Sequence, residues 1–285
     1  MRRILTSVLL IAAMATPVMG QQLQGTLKKI KDTGALTIGY RESSPPFSSV
    51  GNDKKPAGYS IDLCLRIAAG IKQSLGLKDL KINWVPVFPD TRIPAVVSGK
   101  VDIECGSTSN TLSRQEQVDF STMTFVDGGG LLVTKVSGID KVADLAGKRV
   151  AVIPGTTTDK ALAGALQTRY ISAQIVTVKD HAEGRATLEN GTADAYASDR
   201  VLLIGLGLAA KDPSKLALAD DLFSYEAYGF MMRRNDSAFR LAVNRVLANL
   251  YRSDEIIRIY EKWFGEIGRP SPLLLAMYLI NALPD

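Results

Sequence analysis

A chain of 285 residues that is 46% apolar and 22% charged can bury a full core, in one large or two modest domains. Its formal net charge of +5 contains no block of Lys and Arg, and the first twenty residues hold two arginines and no acid, so the rest carries +3; that balance fits a small anionic ligand better than a nucleic acid. One histidine and two cysteines, neither in a CxxC pair, leave a zinc site almost no ligands, so no metal or other cofactor is expected.

In chain order, Arg2 and Arg3 precede an apolar stretch from Ile4 to Ala15, and Pro17 to Gly20 supply a breaker and a small residue. That is the pattern of a secretory signal peptide over residues 1–20, and cleavage near Gly20 is expected to release the protein into the periplasm. The stretch is shorter than the roughly 20 residues a bilayer span needs, and no cysteine follows it to take a lipid. In that oxidising compartment a disulfide between Cys64 and Cys105 is allowed, two buried thiols being the alternative.

The mature chain alternates short apolar runs with amphipathic stretches, which argues for parallel sheets covered by helices. Ala35 to Tyr40 reads as a strand, Tyr59 to Leu75 as a helix, Lys81 to Val87 as a strand, Ile93 to Ser98 as a short helix and Val101 to Cys105 as a strand. The pattern restarts with a strand at Val150 to Ile153 and a helix at Thr158 to Leu166. A strand at Gln174 to Val178, a helix at Ala186 to Glu189 and a strand at Ala193 to Ala197 follow. Two segments repeat in outline: Arg92 to Gly99 leads to Asp102 and Ser107, and Arg185 to Gly191 leads to Asp194 and Asp199. In both, Asp follows Gly by three positions and a polar residue stands five further on, which favours two related lobes.

In such sheets a ligand sits at the carboxyl ends of the strands. The loops there offer Arg41, a Gly106-to-Arg114 stretch rich in hydroxyls, Gly155-Thr156-Thr157, Asp180-His181 and Asp199. An acidic amino acid carries two carboxylates and one ammonium, so its site needs two cationic clamps and one anionic corner, which this set supplies. Arginine suits a carboxylate because its planar fork grips both oxygens. Taken singly, each residue also has a plainer reading. Arg41, Arg92 and Arg114 could form surface ion pairs, Thr156 to Thr158 could cap a helix, His181 could be solvated or a cap, and Asp199 could cap Val201 to Leu208. GxSxG and GxxxxGK[ST] are absent, and the GxG at Gly205 to Gly207 lies in a helical run without its third glycine.

The segments Gly39-Tyr-Arg-Glu-Ser-Ser-Pro-Pro-Phe-Ser48, Gly58-Tyr-Ser60 with Asp62, Arg92-Ile-Pro94 and Glu104-Cys-Gly-Ser-Thr-Ser-Asn110 with Arg114 form a recognisable series. Gly155-Thr-Thr157, Lys179-Asp-His181, Glu226-Ala-Tyr-Gly229 and Lys262-Trp-Phe264 complete it. With them the chain resembles the periplasmic solute-binding proteins of amino-acid ABC importers, family 3, and within them the glutamate/aspartate-binding members. The resemblance implies a two-lobe α/β fold of the type II periplasmic-binding-protein kind. Lobe 1 would span residues 27–125 and 231–285, lobe 2 residues 131–226, and hinge crossovers residues 126–130 and 227–230. It implies that Arg41 and Arg92 hold the side-chain carboxylate, and that Arg114, Ser109 and Thr156 hold the α-carboxylate. Ser107, His181 and Asp199 would lie toward the ammonium or the side chain. L-glutamate or L-aspartate, a membrane permease and a monomeric state come with it. Asp199-Arg200 departs from the more acidic pair of the pattern, and Pro272 to Leu283 is unusually apolar for a tail. The rival reading is a cyclohexadienyl dehydratase-like enzyme on the same fold, with His181 or Glu104 as its acid or base.

Overall fold

The computed structural model describes residues 23–284; the signal-peptide reading of residues 1–20 lies outside them. Ala35–Tyr40 buries Leu36 and Ile38 on one face and pairs in parallel with Lys81–Pro86 on one side and Ile103–Glu104 on the other. Met231–Arg233 and Val118–Phe120 complete a five-stranded sheet. The second sheet has the order Gln174–Thr177, Arg149–Val152, Ala195–Asp199, Gly129–Thr134 and Leu216–Leu218. In each sheet the first three strands are parallel and the fourth runs against both neighbours. That reversed strand is in each case the first one the chain enters after crossing between lobes.

The crossings themselves pair. Phe125–Asp127 and Glu226–Tyr228 form a two-stranded antiparallel ribbon. The three glycines from Gly128 to Gly130, inside the expected crossover 126–130, lie largely within the strand Gly129–Thr134, and none adopts a positive φ. Their small size is used instead: a Cβ on Gly129 would stand 2.5 Å from Ser224 Oγ, and one on Gly128 2.9 Å from the Ser224 carbonyl oxygen.

The repeated segments have the same structural role in both lobes. Helix Arg92–Val97 is followed by Gly99 at φ 74° and helix His181–Glu189 by Gly191 at φ 73°, the left-handed turn that glycine favours after a helix. The next aspartate then anchors the neighbouring parallel strand. Asp102 accepts from the Thr37 N–H at 2.9 Å, and Asp194 accepts from the Arg149 N–H at 2.8 Å.

The first lobe has a large core, where Phe47, Tyr59, Phe125, Tyr228 and Phe264 stack or meet edge to face, and a smaller one of Val87, Val96, Val101, Val118 and Met231 among others. The second lobe has a core on each face of its sheet. Asp62 accepts from Lys262 Nζ and Trp263 Nε1, each at 2.7 Å, so two of the motif segments meet as a brace of the first lobe, away from the cleft. Cys64, in helix Tyr59–Ser74, and Cys105 form a disulfide. The apolar tail is helix Pro272–Asn281. Leu274, Met277 and Tyr278 enter the first core, and Leu279 and Ile280 are exposed on its far side. No helix among the described residues is long and apolar enough to cross a membrane.

Candidate functional site

The strand ends and helix starts of both lobes face one narrow cleft, lined by Arg41, Arg92, Ser107, Ser109, Thr156, His181 and Asp199 among others. Arg41 leaves the end of Ala35–Tyr40, and its backbone is held by Ser48 Oγ, which accepts from the Arg41 N–H at 2.9 Å. Arg92 opens helix Arg92–Val97. Ser107 and Ser109 follow Ile103–Glu104, and His181 and Asp199 stand at the start of a helix and the end of a strand in the other lobe. The equivalent positions of the repeat, Ser107 and Asp199, thus deliver one polar side chain from each lobe.

Arg114 is placed differently. It is buried in helix Leu112–Gln115 outside the lining set, and its Nη1 donates to the Ser109 carbonyl at 2.8 Å. Thr156 is the cap of helix Thr157–Thr168. Its hydroxyl donates to the Ile153 carbonyl at 2.8 Å and accepts from the Asp159 N–H at 3.1 Å, so the capping alternative describes that side chain. Asp180, not His181, caps helix His181–Glu189, which begins five residues before the sequence pattern placed it.

Three guanidiniums share a dry setting. Burial lowers the Arg41 pKa to about 10, helped by the nearby Arg92 charge, and burial followed by Arg92 lowers Arg114 to about 10. Burial also lowers Arg92 itself, opposed by Glu104 and Asp199. Arg92 Nη1 donates to Thr108 Oγ1 at 2.9 Å, and Thr108 donates onward to Glu104 Oε2 at 2.8 Å. Arg41 Nη2 and Arg92 Nε are buried without a hydrogen-bond partner. Unpaired charged donors in a dry site are costly, so such groups invite an acceptor.

The opposite wall is set for other work. The His181 imidazole has its pKa lowered well below the usual range by burial and then by Arg41 and Arg92, so it is neutral near pH 7. Its Nδ1 is 2.7 Å from Tyr196 Oη. Gly184 makes room for that ring, since a Cβ there would come within 2.4 Å of it. Asp199 accepts from Thr158 Oγ1 at 2.7 Å and from Tyr228 Oη. Burial and the Glu226 charge raise its pKa to about 6, against the lowering effect of those hydrogen bonds. Arg200, whose charge made this corner look doubtful, donates to the Ala219 carbonyl and does not line the cleft.

Glu226 and Tyr228 received no role from sequence. They lie two apart on the returning crossover strand, hence on one face of it. Glu226 Oε2 accepts from Ser109 Oγ of the first lobe and, at 2.7 Å, from Thr157 Oγ1 of the second; Ser109 Oγ and Thr157 Oγ1 are 3.2 Å apart. The string Glu226-Ala-Tyr-Gly229 was the available signal. Among the described residues no group of three His, Cys, Asp or Glu could hold a metal ion.

A family model for bacterial extracellular solute-binding proteins, family 3, matches residues 36–266. The chain is 41% identical over 273 residues to the L-glutamate/L-aspartate-binding protein of Pseudomonas aeruginosa, covering 95% of this chain and 90% of that one. It is 37% identical over 239 residues to the glutamate/aspartate import solute-binding protein of Escherichia coli K12, covering 84% and 79%. Among solved structures, the ancestral amino acid-binding protein described as a precursor of cyclohexadienyl dehydratase is 31% identical with a TM-score of 0.72, over 84% of this chain and all of that one.

Proposed function

This chain belongs to the bacterial extracellular solute-binding proteins, family 3, and from that premise we propose that it captures L-glutamate or L-aspartate between its lobes and hands it to the membrane permease of an ABC importer. The observation that carries the reading is the convergence of Arg41 and Arg92 on the cleft with Arg114 close behind, two of them with buried donors that have no partner. Such a set matches a ligand with two carboxylates, and Asp199 matches its ammonium. In this reading Arg41 and Arg92 take the side-chain carboxylate with neutral His181 beside them, and Arg114, Ser109 and the start of helix Thr157–Thr168 take the α-carboxylate. Thr156 contributes through its backbone, because its hydroxyl is engaged in the cap. Contacts from both lobes make the ligand prefer the shut form, which couples capture to closure. The names of the Pseudomonas and Escherichia relatives support the ligand class, and a periplasmic location follows from the same reading.

The dehydratase-like alternative finds less support. The relatives above are named as binding proteins, and the acid–base candidates are engaged: His181 is neutral and tied to Tyr196, and Glu104 is tied to Thr108 behind the arginines. The test is calorimetric titration with the common amino acids after carried-over ligand has been removed by unfolding and refolding. L-glutamate and L-aspartate should head the ranking; a ranking headed by a neutral or cationic amino acid ends the proposal.

A further inference from the structure

The helix Arg200–Leu208 contains the Gly205 to Gly207 pair that matched no nucleotide motif. A helix interior disfavours glycine, which calls for a packing reason at each position. On this helix Leu203 and Leu206 join the core of the second lobe, whereas Leu202 packs into the core of the first. Gly205 stands three residues after Leu202 and so shares its face, turned toward the first lobe. It meets the loop that follows Arg41. A Cβ on Gly205 would lie 2.7 Å from the Pro45 carbonyl oxygen and 3.0 Å from Pro46 Cδ. Gly207 differs, because a Cβ there would make only ordinary contact, 3.5 Å from Leu132 Cδ1 in its own lobe.

The Pro45 carbonyl has no room to retreat. Its loop is held by the Phe47 N–H donating to the Ser44 carbonyl at 3.0 Å and by the Tyr59 N–H donating to the Pro46 carbonyl at 2.9 Å. Phe47 itself is fully buried among the aromatic rings of the first core. Relief of a side chain at 205 must therefore come from the helix moving away, and with it the second lobe.

We infer that Gly205 is a closure-determining residue: its missing side chain lets the second lobe seat against the Pro45-Pro46 loop of the first, so it sets affinity without touching the ligand. The inference rests on the reading of the cleft as one that shuts on an amino acid. Overpacking at this seam penalises the shut form alone. Gly205→Ala should therefore weaken every ligand by a common factor of about ten- to a hundredfold, leaving their ranking unchanged.

The experiment titrates wild type, Gly205→Ala and Gly207→Ala with the twenty amino acids and follows thermal melting of each ligand-free protein. The expected result is a uniform loss in Gly205→Ala, wild-type affinity in Gly207→Ala, and ligand-free melting of Gly205→Ala no lower than wild type, since alanine favours the helix. Unchanged affinity in Gly205→Ala overturns the inference. So does an equal loss in Gly207→Ala, which would assign the effect to the helix, or ligand-free melting of Gly205→Ala well below wild type, which would assign it to packing independent of the ligand. A wild type that prefers some other amino acid removes the acidic-ligand proposal but still reports on Gly205 through that ligand.

Discussion

Replacing Arg92 by lysine tests the division of labour among the arginines. Arg92 has two faces to serve: Nη1 holds Thr108 Oγ1 at 2.9 Å, which relays to Glu104, while the buried Nε has no partner in the protein. A lysine keeps the charge but has one head, and Glu104 behind Thr108 holds it on the protein side. The ligand then loses one charge-assisted hydrogen bond, worth about 1.5–3 kcal/mol for glutamate, or about ten- to a hundred-and-fifty-fold in Kd. Glutamine offers a neutral carbonyl at the same place and loses only about 0.5–1.5 kcal/mol. The preference for glutamate over glutamine should therefore shrink about tenfold. The assay is parallel calorimetric titration of Arg92→Lys with both ligands, with circular dichroism to show that it is folded. An unchanged glutamate-to-glutamine ratio in a folded variant refutes the placement of Arg92 at the side-chain end.

Arg114→Lys should instead weaken all amino-acid ligands by a similar factor, because they share the α-carboxylate; a loss confined to glutamate in the same titrations would count against that role. Affinity for glutamate should be level above about pH 6 and fall below it. Asp199, raised to about 6 in the free protein, must be ionised to meet the ammonium, so binding in acid has to release its proton. Asp199→Asn should bind weakly and lose that pH dependence, and a wild-type affinity that stays flat from pH 7 to 4.5 would contradict the assignment. Replacing both Cys64 and Cys105 by alanine should lower stability by about 4 kcal/mol for a bridge spanning 41 residues, seen as an earlier urea midpoint. Two alkylatable thiols in the unreduced protein would remove the basis for that figure.

What could be read in advance was whatever is written locally. The strand Ala35–Tyr40 has the bounds expected from its apolar run, and Tyr59–Ser74 ends one residue short of its expected end. The helix from His181 was placed late because Gly184 and the charged opening turn break the apolar period; the signal lay in the cap, where Asp180 accepts from the Glu183 N–H and Glu183 from the Lys179 N–H. Val101 to Cys105 shortens to Ile103–Glu104; at its start the Val101 N–H donates to the Ala95 carbonyl of the preceding helix at 3.0 Å and not to the sheet. The Gly-to-Asp spacing was the more informative sign, because it fixes where each parallel strand starts. The residue five beyond the aspartate must then emerge at the strand's far end, and this is why Ser107 and Asp199 both line the cleft.

The parts that were not legible are those made by distance along the chain. Glu226 joins Ser109 and Thr157 from 117 and 69 residues away, and Tyr228 reaches Asp199 from 29 residues away. Apart from the string Glu226-Ala-Tyr-Gly229, neither has a local pattern that distinguishes it from an ordinary edge-strand residue. Their importance comes from topology: the strand that carries the chain back to the first lobe runs between the lobes and touches both at once. Two polar side chains on one face of that strand therefore land where the lobes meet. In the proposed reading, a change at Glu226 should shift the balance between open and shut forms, and a change at Arg92 should alter which ligand is chosen.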